Sequence, residues 1–218
     1  MKTLCVSLLL AICSTGASAQ DVTARLAGRV SPDVAALVHQ LAASAAARGL
    51  PVDPLIQKAI EGSAKGVPAD RVTAALRVLV GQLDVAAAAL RDAAPAQPDT
   101  DAIAAGAFAL NAGLSGRNVT DLAAASRPSN SMAATLRVAS TLAAMGVPPA
   151  QTVELVTQVI EAGGSTTDVL ALPTQVMAGV SEGRGRGVTP AQAAAGLARA
   201  AAARANAPGQ QRPKHPHP

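Results

Sequence analysis

The sequence predicts an all-α fold: antiparallel helix pairs, about eight or nine helices, forming a compact bundle or a short α-solenoid-like stack. Three observations predict it. Half of the 218 residues are hydrophobic and only 15% are charged, which argues against a disordered chain. Much of the hydrophobic share is alanine, the best helix former and a poor strand former. Phe108 is the only aromatic residue, so the core must be built from Leu, Val, Ile, Met and close Ala contacts.

The chain opens with the pattern of an export signal over residues 1–19. Lys2 supplies the positive end and Leu4 to Cys13 an apolar stretch interrupted by Ser7. Ala17-Ser18-Ala19 then places small residues where a signal peptidase reads them, so cleavage is expected between Ala19 and Gln20. The apolar run is too short to cross about 30 Å of hydrocarbon as a lasting anchor. A lipoprotein signal would end at Cys13, but it wants a small residue just before the cysteine, and Ile12 is branched and bulky. No later segment reads as long and apolar enough to span; residues 191–205 are broken by Arg199 and Arg204. The expected product is exported, periplasmic or secreted, with no transmembrane anchor after cleavage. Both cysteines, Cys5 and Cys13, fall within the signal, which removes disulfides, thiolate metal sites and cysteine nucleophiles from the mature chain.

Helix punctuation orders the rest. Ser31-Pro32-Asp33 reads as N-cap, N1 proline and acidic first turn of a helix running to about Arg48. Asp53-Pro54 opens the next, with Leu55, Ile56, Ala59, Ile60 and Ser63 on one face and a stop at Gly66. A third begins near Pro68 and carries Val72, Leu76, Leu79, Val80 and Leu83 at helical spacing, toward Arg91. After the loop 95–98, Asp99 or Thr100 caps a helix to about Ala112, and a short one follows over 117–126. Ser129 is expected to cap the next, which ends at Gly146; another runs from Pro148 or Pro149 to Ala162. Residues 166–183 are helical with a break or kink at Pro173, and Thr189-Pro190 opens the last helix, ending near Ala207.

A stop signal recurs in Gly49-Leu50-Pro51, Gly66-Val67-Pro68 and Gly146-Val147-Pro148, with Gly187-Val188-Thr189-Pro190 a variant. Glycine takes a left-handed position, the apolar residue packs back on the last turn, and proline starts the next helix. Residues 55–62 also echo residues 155–162. Together these suggest a degenerate repeat of helix pairs, about 34 residues each, with two similar halves near 31–94 and 99–207 inside one helical domain, 20–207. The proline-rich tail 208–218 is expected to be disordered.

The stretch Gly62–Val72, with the second Gly-Val-Pro turn, resembles a group of exported, alanine-rich helical proteins of high-GC bacteria. The resemblance covers about residues 45–200 and implies a helical exported domain. No activity is assigned to that group, so it transfers no site residue.

Candidate chemistry is sparse. The net charge is +4, but Arg and Lys are scattered singly and no aromatics interleave with them, which speaks against nucleic-acid binding. His39 is the only histidine within the fold and has no acidic residue at i±3 or i±4; His215 and His217 lie in the tail. Serines therefore lack a base, and no metal or other cofactor is expected. Glu154, Glu161 and Asp168 recur at seven-residue spacing, but Gln151, Glu154, Gln158 and Glu161 form one polar stripe, read as a solvated face. Lys58, Glu61 and Lys65 read as i+3 and i+4 surface pairs. Arg184 and Arg186, in a glycine-rich turn expected to be flexible, are the candidate contacts to an anion or partner. The expected function is a non-enzymatic interaction or structural module of the bacterial envelope or exterior. Its alternative is a hydrolase acting through acidic residues, which needs at least two carboxylates, or His39 plus one, converging in a concave pocket.

Overall fold

The computed structural model describes residues 15–93, 98–127 and 130–206, with side chains from residue 21 onward. These residues form ten α-helices and one short 3-10 turn, and no strand occurs among them. In chain order the helices are α1 (Thr15–Leu26), α2 (Pro32–Ala47), α3 (Asp53–Ala64), α4 (Ala69–Ala93) and α5 (Thr100–Asn111). There follow α6 (Gly116–Ala125), α7 (Met132–Ala144), α8 (Pro149–Glu161), α9 (Thr166–Glu182) and α10 (Pro190–Ala205), with the 3-10 turn at Arg184–Arg186. The all-α expectation holds, with ten helices in place of eight or nine. The additional one is α1. It is held by an ion pair one turn apart, Asp21 to Arg25 at 3.8 Å, by a second from Arg25 to Asp53 of α3, and by burial of Val22 and Leu26. The apolar part of the expected signal and the tail lie outside the described residues, as does Ser129.

Two compact units divide the chain, residues 1–80 and 81–218, and the boundary falls inside α4. In the first unit α1, α2 and α3 all touch one another. Val34, Val38, Leu55, Ile56 and Leu76 are 1% exposed or less and form its centre. Val72 of α4 packs so close to Gly62 of α3 that a Cβ there would stand 2.8 Å from a Val72 methyl.

The second unit is two layers of helices. α5 packs on α7 and α7 on α9; α6 packs on α8 and α8 on α10. Helices two apart in sequence are therefore neighbours within a layer, the arrangement of stacked helix pairs. The sequence cause is spacing: Thr100, Gly116, Met132, Pro149 and Thr166 start successive helices 16 or 17 residues apart. Small residues let the layers close. Ala102, Ala105, Ala107 and Ala109 of α5 are buried, and a Cβ on Gly106 would stand 2.9 Å from that of Ala86. Polar bonds between elements one helix pair apart fix the register. Asn130 Nδ2 donates to the Gly164 carbonyl at 3.2 Å, Ser131 N–H to Thr166 Oγ1 at 3.2 Å, and Ser140 Oγ to the Phe108 carbonyl at 3.3 Å.

The turns form as the stop signal implies. Gly49, Gly66, Gly146 and Gly187 all have positive φ, with Gly66 at 67°. Each turn closes with paired backbone bonds: Gly66 N–H to the Ser63 carbonyl and Val67 N–H to the Gly62 carbonyl, both 3.0 Å. Leu50 and Val147 pack back as expected, 5% and 2% exposed; Val67 does not, at 38%.

Several boundaries differ in detail. Ser131, not Ser129, caps α7, accepting from Ala134 N–H at 3.3 Å. Asp53-Pro54 opens α3 as expected, with Asp53 in its first turn. α9 continues through Pro173 from Thr166 to Glu182, so of the expected break or kink the break is absent. α4 contradicts the expectation that no later segment has the length and hydropathy of a membrane span. Its 25 residues meet that criterion by length and composition alone. Much of that apolar character is a face buried in protein, including Leu76, Leu83, Ala86 and Leu90.

Candidate functional site

Arg184 and Arg186 sit where α9 hands over to α10. The turn is hydrogen-bonded rather than open: Arg186 N–H donates to the Gly183 carbonyl at 2.8 Å and Val188 N–H to the same carbonyl at 3.3 Å. Gly183 is required here, because a Cβ would meet Val188 at 2.2 Å. Gly187 at φ 68° ends the turn, and the Thr189–Gln192 capping box starts α10. Both arginines are exposed and neither has an ion pair among the described residues. Following the α9 C terminus, they suit the negative end of its dipole, so their basic character has a local use as well.

The expected cleavage point, Ala19–Gln20, lies within α1; among the side chains described in that helix, from Asp21 onward, Val22 and Leu26 are buried.

The acidic candidates separate. Asp168 is the N3 residue of α9: it accepts from the Ser165 N–H and hydroxyl at 2.8 and 2.7 Å while Ser165 Oγ accepts from its N–H. Those bonds, the hydroxyl first, hold its carboxyl below the usual aspartate range. It is a helix cap. Glu154 and Glu161 are exposed, on the same helix face as the half-buried Gln151 and Gln158. His39 is half-buried on α2, with Nε2 3.4 Å from Thr23 Oγ1 of α1. Among the described residues no three His, Cys, Asp or Glu side chains gather as metal ligands. Asp92 of α4 and Asp121 of α6 do share a wide groove, about 520 Å³, with Arg117 and Thr120.

A feature the sequence reading missed lies between α3 and α4. Lys58, Glu61, Lys65 and Arg71 surround a cleft of about 190 Å³ whose remaining walls are Gly62, Val67, Val72 and Ala75. Lys65 is ion-paired with Glu61. That hydrogen bond, then the charges of Lys65 and Lys58, hold the Glu61 carboxyl below its usual range. Lys58 and Arg71 have no carboxylate partner among the described residues. The Lys-Glu-Lys spacing on α3 was legible; what was missed is that the Gly66 turn folds Arg71 back onto the same side.

The second unit carries an equivalent cleft. Gly66 and Gly163 are 97 positions apart, as are the starts of α4 and α9, Ala69 and Thr166. In that register Arg71 corresponds to Asp168 and Ala75 to Leu172, and Asp168 and Leu172 line a cavity of about 250 Å³ with Gln175 and Arg204. The sequence echo of 55–62 with 155–162 lies 100 positions apart, three residues, or about one turn, out of this register. The two clefts share a place in the helix hairpin but not a chemistry: the first holds unspent positive charge, the second a carboxylate engaged in a cap.

No protein-family model, curated protein or solved structure matches the chain.

Proposed function

We propose that this protein is an exported, non-enzymatic interaction module of the bacterial envelope or exterior, and that it contacts an anionic component or acidic partner through the Arg184–Arg186 turn. The observation that carries this reading is the layering of the second unit, α5 on α7 on α9 and α6 on α8 on α10. Stacked helix pairs present long, regular faces and rows of turns, a geometry suited to extended partners. The turn offers two exposed guanidinium groups on a hydrogen-bonded frame. Few aromatics are available as anchors, so affinity rests on charge and aliphatic contacts and is moderate and salt-sensitive.

Export is supported by the residues before Gln20, with Lys2, the apolar stretch Leu4 to Cys13 and Ala17-Ser18-Ala19 in the order of an export signal. Mass spectrometry of secreted material with Gln20 at its N terminus supports cleavage after Ala19, and lipid-modified Cys13 rejects that cleavage site. The hydrolase reading has one observation behind it, Asp92 and Asp121 in one groove. Both are exposed, whereas an acid–base pair of carboxylates needs environments that push the two groups apart. The interaction reading is tested by co-purification from native envelopes with wild-type protein and an Arg184→Ala, Arg186→Ala double variant. Loss of a specific component in the variant supports it; equal recovery rejects it.

A further inference from the structure

We propose that the α3–α4 cleft of the first unit is a binding site for a phosphate monoester that carries an aliphatic group. This stands apart from the Arg184–Arg186 reading and uses none of its residues.

Charge selects the headgroup. Of the four ionisable side chains around the cleft, Lys65 and Glu61 neutralise each other, leaving Lys58 and Arg71 unmatched. Two residual positive charges suit a phosphate monoester, which carries about −1.5 to −2 at neutral pH, better than a singly charged carboxylate. Arg71 adds a planar fork that can hold two phosphate oxygens at once, and Lys58 a point charge beside it. Asp70, next to Arg71 in sequence, does not line the cleft.

The apolar wall selects what the phosphate is attached to. At the matching turns Leu50 and Val147 are 5% and 2% exposed, packed against the helix they end, whereas Val67 is left 38% exposed at this cleft. Val72 and Ala75 continue the apolar surface. A bare inorganic phosphate would leave it wet; a short alkyl substituent would cover it.

The equivalent cleft shows that the fold does not require this charge. There the position of Arg71 is held by Asp168, whose carboxylate caps α9 through Ser165. Arg71 performs no such task, since among the described residues no hydrogen bond or ion pair engages its side chain.

The test is calorimetric titration of the full exported chain with hexyl phosphate and with inorganic phosphate. It is repeated for Lys58→Gln with Arg71→Gln, for Val67→Ser, and for the Arg184→Ala, Arg186→Ala control. Hexyl phosphate is expected to bind about tenfold more tightly than inorganic phosphate. The cleft double variant should lose about tenfold or more, Val67→Ser should narrow the gap between the probes, and the turn control should bind as wild type. Co-sedimentation with phosphatidylcholine vesicles, with and without phosphatidic acid, separates the sources. Capture that needs both phosphatidic acid and Lys58 with Arg71 assigns a lipid headgroup; hexyl phosphate binding without capture assigns a soluble ester. Absence of saturable binding to either probe overturns the proposal. So does unchanged binding in the cleft variant, whose circular dichroism melt checks that it is folded, or equal affinity for the two phosphates.

Discussion

Replacing Gly66 strains the turn that folds α3 back on α4, and the structure separates the sources of that strain. Its φ is 67°, in the left-handed region, and nothing lies within 4 Å of where a Cβ would be built. Crowding therefore contributes little, and the penalty is the backbone conformation itself. For a side chain in this region that is about 1–2 kcal/mol. Removing glycine also restricts the unfolded chain, which returns about 0.4–1 kcal/mol. Gly66→Ala should thus destabilise by about 1 kcal/mol, Gly66→Val by more because of its branched Cβ, and Gly66→Asn by less. Glu161→Ala is the comparison. That side chain is exposed and has no ion pair among the described residues, and the bond from Arg127 at 3.5 Å reaches its backbone carbonyl, so truncation should change stability by no more than about 0.5 kcal/mol. Denaturant unfolding must be followed by far-UV circular dichroism, since the chain has no Trp or Tyr. Equal midpoints for Gly66→Val and Glu161→Ala, or Gly66→Asn as damaging as Gly66→Val, would refute the reasoning.

Two other glycines should respond in opposite directions. Gly196 lies inside α10 with open space at its Cβ, so Gly196→Ala should raise stability by about 1 kcal/mol, whereas Gly106→Ala places a methyl 2.9 Å from that of Ala86 and should lower the unfolding midpoint. Asn130 is 7% exposed and donates to the Gly164 carbonyl; Asn130→Ala should cost about 1–3 kcal/mol, read from the same denaturation curves, and should speed amide exchange around Gly164. The Asp168 carboxyl is held below its ordinary value by Ser165, so its contribution is present above the unfolded aspartate value of about 3.9 and is lost as pH falls through the lowered folded value. Asp168→Asn keeps an acceptor for the Ser165 box but cannot titrate, so its acid denaturation limb should be shallower than that of wild type.

What the sequence disclosed was local. Gly66, Ser31 and Thr189 act on the few residues beside them, so these glycine stops and caps were readable from neighbours alone. The burial of Leu55, Ile56 and Leu76 followed from helical spacing for the same reason. What stayed hidden depends on residues brought together by folding. The role of Asn130 has no signal among its neighbours, because its partner, Gly164, is 34 residues away. α1 was unread because its anchor, Asp53, lies 28 residues beyond Arg25, and its residues fell within or beside the expected export signal. Arg71 looked like a surface charge at a helix start until the hairpin set it beside Lys58. Val67 fits the turn pattern in sequence, but its exposure depends on the depth of the cleft beside it. The out-of-register echo has a related cause: among so many alanines, a three-residue slip still aligns apolar with apolar.

The most direct test of an exported module that contacts an anionic partner is quantitative recovery from native envelopes at low and moderate salt. Wild-type protein, the Arg184→Ala, Arg186→Ala variant and the Lys58→Gln, Arg71→Gln variant are compared after circular dichroism shows equal melts. The account predicts that wild type and the cleft variant recover the same acidic or anionic component at low salt. The turn variant should lose it, and moderate salt should reduce recovery for all. Equal recovery by wild type and the turn variant, or recovery of nothing specific by wild type, would contradict it.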